Sequence, residues 1–186
     1  ALCDFCDGLA ARALKAYSEL GKQLDSLADM VSFGALPALM MHRLMLLTYG
    51  ESVLSYVPLL IAVFSALRLA KFNVDDRQSE NFIGLATPAC AMICGSFTIV
   101  AHLDIYNIAG AMTESTWMIP AASVILSLLL VSGIPMFSMK FKKGASADLK
   151  WMRISFIAVS IVAFAATLLL GQHFSHAVLF IFLAYI

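Results

Sequence analysis

The chain of 186 residues is 61% apolar and only 13% charged, with 12 Lys+Arg set against 12 Asp+Glu and a mean hydropathy of +0.89. Water-soluble domains are nearer half apolar and a quarter charged, so a single soluble core is a poor reading and a membrane protein is expected. Balanced charge without a long basic run leaves no electrostatic footprint for nucleic acid, which is set aside as a partner.

A first apolar piece ends near Leu14. Further apolar stretches run from about Leu24 to Leu47, Val53 to Ala70, Ile83 to Leu103, Trp117 to Phe137, Trp151 to Leu170 and Phe174 to Ile186. A spanning helix takes ~20 apolar residues, so the length holds about six or seven spans with short connections. None of the runs shows the period-two alternation of a barrel strand, and an extended chain in lipid would leave its peptide groups unpaired. The expected fold class is therefore all-α, a polytopic transmembrane helical bundle. No repeat, low-complexity tract or long linker divides it, so residues 1–186 form one expected membrane domain. The chain opens at Ala1 inside an apolar stretch and stops at Ile186 inside another. It reads as a fragment at both ends, with at least one further helix expected before it and no signal peptide to assess.

The connections alternate in charge. Arg12, Lys15 and Lys22 flank the first, Arg68, Lys71 and Arg77 the third, and Lys140, Lys142, Lys143, Lys150 and Arg153 the fifth, while the second, fourth and sixth hold no Lys or Arg. The positive-inside rule then puts the odd connections in the cytoplasm, as expected of a protein of the cytoplasmic (inner) membrane. Arg43, the remaining basic residue, lies near the outer end of its helix, from where it can snorkel to the interface.

Carboxylates inside apolar helices cost several kcal/mol each and normally mark a function. Asp4, Asp7, Gly8 and Ala11 fall at i, i+3, i+4 and i+7, so two carboxylates and two small residues share one helical face. Gly21, Asp25 and Asp29 make a second stripe of the same kind. Converging carboxylates repel one another unless a cation compensates, and hard oxygen ligands suit Mg²⁺, Mn²⁺ or Ca²⁺. A divalent-metal site is the expected chemistry. Helix capping, or pairing with Arg12, Lys15 and Lys22, is the structural alternative, but capping does not need two parallel carboxylate and glycine stripes.

The run Asp4-x-x-Asp7-Gly8-x-x-Ala11-Arg12, eight residues, then Gly21-x-x-x-Asp25-x-x-x-Asp29 resembles the complete signature of the CDP-alcohol phosphotransferase family. Residues Gly21 to Gly34, Arg68 to Asn73, Phe82 to Pro88 and Val131 to Ser138 are similar to its bacterial phosphatidylserine synthase branch, so the likeness extends from Ala1 to about Lys143. Lys71 stands where that branch leads one to expect Arg, and Ala86 where it leads one to expect Pro.

The resemblance implies two divalent cations, Mg²⁺ or Mn²⁺, held by Asp4, Asp7, Asp25 and Asp29, with Asp29 also taking the proton from the attacking hydroxyl. It implies CDP-diacylglycerol as donor, L-serine as acceptor and CMP as leaving group. Gly8, Ala11 and Gly21 look like the small residues that admit the nucleotide, and Arg12 resembles the phosphate-side arginine; close helix packing is their alternative reading. Arg68 and Lys71 are candidates for the lipid phosphate or the serine carboxylate, because a guanidinium fork matches either oxyanion. Ser32 and Asn73 are further candidates for contacts to serine. Membrane lipids are the expected surroundings, and a homodimer is compatible with the resemblance.

Rival readings are another acceptor, glycerol phosphate or inositol phosphate, and a divalent-cation transporter. A phosphoenzyme route through His-x-Lys is ruled out, since no such motif occurs. Cys3 with Cys6, and Cys90 with Cys94, are read as packing residues rather than zinc ligands. His173 and His176 are placed in a solvated connection. Thr87-Pro88 is expected to kink its helix.

Overall fold

A computed structural model describes residues 18–74, 82–103, 115–136, 147–169, 171 and 173–185. Asp4, Asp7, Gly8, Ala11 and Arg12 lie outside the described residues. The described chain is built of helices: α1 (Glu19–Asp29), α2 (Leu36–Tyr49), α3 (Leu60–Val74), α4 (Thr87–Leu103), α5 (Met118–Val131), α6 (Ala147–Leu169) and α7 (Phe174–Tyr185). A 3₁₀ segment, Val53–Leu59, leads directly into α3, and the two-residue strands β1 (Phe82–Ile83) and β2 (Pro135–Met136) stand apart from the helices.

Helix α1 begins where Ser18, in extended conformation, accepts the Gly21 N–H on its hydroxyl at 3.0 Å, an N-cap that satisfies a donor of the first turn. It runs without interruption into α2 through a wider turn, Met30–Ala35, in which the Leu36 N–H reaches the Val31 carbonyl five residues back. Pro37 explains that turn. A proline in a continuing helix has no N–H for the carbonyl four residues earlier and collides with it, and the wider register relieves both problems. Gly34 is buried at the same place, where an added Cβ would come within 2.9 Å of the Ser65 Cβ on α3. The combined helix Gln23–Tyr49 has 27 residues and is apolar enough to cross a membrane, as is Val53–Val74 with 22. At 1.5 Å per residue they reach roughly 40 Å and 33 Å, against a hydrocarbon core of about 30 Å.

The core gathers Met41 and Met45 from α2, Ile61 from α3, Cys90, Ile93 and Cys94 from α4, Ile119 and Leu130 from α5, and Leu179 from α7. Helix α5 packs on α3, α4 packs on α2 and α7, and α6 joins mainly through α7. Buried Ser123 and Ser127 on α5, which packs against α3, return their hydroxyls to the Ile119 and Ser123 carbonyls at 2.7 Å. Small side chains that satisfy themselves on their own helix let two helices approach closely where lipid offers no hydrophobic drive. Cys90 and Cys94 are free thiols at 0% exposure, in keeping with packing. His173 and His176 organise the start of α7: His173 Nδ1 meets the Ser175 hydroxyl at 2.7 Å, and the His176 N–H donates to the His173 carbonyl at 3.1 Å.

Two expectations are corrected around β1 and β2. Ile83 and the residues after Val131 are not helical: Phe82 pairs with Met136 and Ile83 with Pro135, antiparallel. Helix α5 cannot continue into Ser132-Gly133-Ile134-Pro135, because the residue before a proline disfavours helical backbone. The carbonyls left at its end take the N–H groups arriving from the other connection, Gly84 N–H to Ile134 at 2.9 Å and Leu85 N–H to Leu129 at 3.0 Å. Backbone satisfaction thus replaces helix on both flanks. Nor does Thr87-Pro88 kink a helix. It opens α4, where the missing proline N–H would have been unpaired in any case.

The clasp also ties the third connection to the fifth, so both sit at one end of the bundle. Gly84 is essential to it, having φ of +78° and space for no Cβ: Leu130, Ser132 and Leu129 carbonyl oxygens would stand 2.8, 3.0 and 3.2 Å away. Gly84→Ala should therefore cost about 1–3 kcal/mol, read as a fall in the thermal unfolding midpoint in detergent. Gly133→Ala is the control, since nothing lies within 4 Å of its Cβ position. Equal midpoints for the two variants would contradict the role given to the clasp.

Candidate functional site

Of the two carboxylate stripes, the second is described. Gly21, Asp25 and Asp29 follow one another at helical spacing along α1, which carries no basic residue in its last turn. Asp25 is exposed; Asp29 is half-buried, with its Oδ1 closed to solvent. The wide turn begins immediately after Asp29. Hard oxygens one turn apart on a single face fit one side of a divalent-cation site. Among the described residues no three His, Cys, Asp or Glu side chains gather into a metal-binding group, and Asp4 and Asp7 lie outside them. Gly21 has a local reason for its size as well, because a Cβ there would press to 3.0 Å from the capping Ser18 oxygen.

The acceptor candidates come from the last turns of α3 and from the wide turn. Arg68 is 7% exposed, and its Nε has no contact with solvent. Lys71, one turn on, is exposed. Asn73 reaches back to α1, donating from Nδ2 to the Ser26 hydroxyl oxygen at 2.9 Å across 47 residues of sequence. Ser32 is exposed and returns its hydroxyl to the Ala28 carbonyl at 2.7 Å. Helix α3 packs along the wide turn, where the Gly34–Ser65 approach admits no larger residue, so the C-terminal end of α3 is held beside the carboxylate helix. Arg68 and Asn73 are thereby carried to the α1 side of the bundle. Ser26, which lies between the two aspartates, was not legible as a functional residue in sequence; its position next to Asp25 was the sole signal.

Chemically, the described half of the site offers two carboxylates on one face, a buried guanidinium on the neighbouring helix and a hydrogen bond between those helices. Comparison with known proteins gives this arrangement a family. Residues 1–129 match the CDP-alcohol phosphatidyltransferase family. A Bacillus subtilis protein named CDP-diacylglycerol–serine O-phosphatidyltransferase is 39% identical over 93 residues, 48% of this chain and 50% of its own length. Proteins of the same name from Mycobacterium bovis and Helicobacter pylori are 38% identical over 147 residues and 32% over 135, covering 75% and 72% of this chain and 49% and 55% of their own. The chain spans about half the length of the curated relatives it matches. No solved structure matches it significantly. With more than half its length matched, carboxylate signature included, the chain belongs to the CDP-alcohol phosphatidyltransferase family.

Proposed function

We propose that the protein transfers the phosphatidyl group of CDP-diacylglycerol to the hydroxyl of L-serine and releases CMP, as a single membrane domain working from the cytoplasmic face of the inner membrane. The observation that carries this reading is the aspartate signature, whose second half stands on one face of α1, in a chain whose relatives are named for serine transfer.

Asp4, Asp7, Asp25 and Asp29 would hold two divalent cations, Mg²⁺ or Mn²⁺. When bound, such ions neutralise a diphosphate, polarise the attacked phosphorus and stabilise charge on the leaving CMP. The chain's own residues do the rest. Asp29 takes the proton as the serine oxygen forms its bond to phosphorus, and the bond from phosphorus to the CMP oxygen breaks. Gly8, Ala11 and Gly21 are assigned to the nucleotide, and Arg12 to its phosphate. Arg68 and Lys71 receive the serine carboxylate, and Ser32 is a further candidate for a contact to serine. The test is a panel of labelled alcohols supplied with CDP-diacylglycerol and Mn²⁺. Labelled phosphatidylserine is the expected product, and label entering lipid from glycerol phosphate or inositol phosphate instead would transfer the assignment.

The cytoplasmic orientation rests on the parity of the basic connections, supported by the β1–β2 clasp between two of them. In sealed oriented cells, Lys22, Lys71 and Lys142 should react with an impermeant amine reagent only from the cytoplasmic side. Labelling of any of the three from outside would overturn the span count.

A further inference from the structure

We propose that the Asn73–Ser26 hydrogen bond is a positioning latch that fixes the rotational setting of the carboxylate-bearing turn; the inference rests on the carboxylate reading given under Proposed function. The bond joins the next-to-last residue of α3 to α1, with Asn73 Nδ2 2.9 Å from Ser26 Oγ. On an α-helix Ser26 lies about 100° from Asp25 and about 60° from Asp29. A tether at that position grips the flank of the carboxylate stripe and leaves its face open.

Helix α1 has need of such a grip. An unbroken α ladder would transmit the rotational phase of α2, which is embedded in the core, to every turn before it. Here the ladder changes register immediately after Asp29, where the Leu36 N–H bonds to Val31. Leu20, Leu24 and Leu27 are 70%, 56% and 60% exposed, so apolar packing against the other described residues holds α1 only lightly. Helix α3, by contrast, is anchored against the wide turn by the Gly34–Ser65 contact. Asn73 therefore extends a fixed reference point to the turn that carries Asp25 and Asp29. Asn73 and Ser26 act through Asp25 and Asp29, and neither needs to touch serine.

The test measures Mn²⁺ binding to the purified protein in detergent, from the electron-paramagnetic signal of free Mn²⁺, together with amide hydrogen exchange across residues 23–36. Asn73→Ala and Ser26→Ala should each weaken Mn²⁺ binding by about threefold to twentyfold, the range expected for one interhelical hydrogen bond in a membrane bundle. The double variant should be no worse than the weaker single one, and exchange should rise in all three. Ser26→Thr, which keeps the accepting oxygen, should bind as the wild type does. Ser26→Ala puts a good helix former on α1 and keeps the test open should Asn73→Ala fail to fold. Unchanged Mn²⁺ binding and exchange in Ser26→Ala would overturn the latch. So would a raised serine KM in Asn73→Ala with Ser26→Ala silent, because that pattern belongs to a direct contact with serine. A wild-type protein that binds no Mn²⁺ would instead overturn the carboxylate reading beneath it.

Discussion

Asp25→Asn is expected to lower phosphatidyl transfer by about a hundredfold or more, the scale on which loss of one group stabilising transition-state charge is usually felt. The substitution keeps the shape of the side chain on the exposed face of α1, so the bundle should remain intact and its unfolding midpoint should barely move. The charge is what is lost. An amide is a poorer ligand for a hard cation than a carboxylate, and part of the deficit should therefore return as Mn²⁺ is raised. Asp29→Asn should be recovered less by added metal, since that residue is assigned the proton as well as the cation. Full activity of Asp25→Asn at low Mn²⁺ would remove the carboxylates from the mechanism.

Arg68→Ala is expected to raise the serine concentration needed for half-maximal rate by about tenfold to a hundredfold, the worth of one charge-assisted hydrogen bond. At 7% exposure the guanidinium is withdrawn from water, and a serine carboxylate entering such surroundings needs a cation to meet it. Arg68→Lys should fall between the two, keeping the charge but losing the planar fork. Initial rates against serine, with CDP-diacylglycerol binding followed separately, decide the matter. Weakened donor binding with an unaltered serine dependence would move Arg68 to the phosphate side.

The spans were legible because apolar length is a sufficient signal for helix in lipid. The run expected from Leu24 to Leu47 lies within the helix Gln23–Tyr49, and that from Val53 to Ala70 within Val53–Val74. Reading failed where backbone pairing beyond the local sequence decides the conformation. Ile83 sits at the edge of an apolar run and could be told from helix only by knowing that Pro135 would come alongside it. The wide turn was equally hidden: Pro37 hints at it, but its accommodation depends on Gly34 yielding space to Ser65 on another helix. Within the candidate site, Asp25 and Asp29 announced themselves by charge and period. Asn73 was visible only as a weak polar candidate, and its partner Ser26 not at all, since a serine in an apolar helix carries no distinguishing mark until the opposing helix is in place.

The central claim is cation-dependent transfer to serine, and its most direct measurement is CMP release by the purified protein with CDP-diacylglycerol, L-serine and Mn²⁺, each omitted in turn and then with excess chelator. CMP and phosphatidylserine should appear in equal amounts when all three are present, and neither should appear when any one is missing or the metal is chelated. Phosphatidylserine formed in excess chelator, or CMP released at the full rate without serine, would contradict the account.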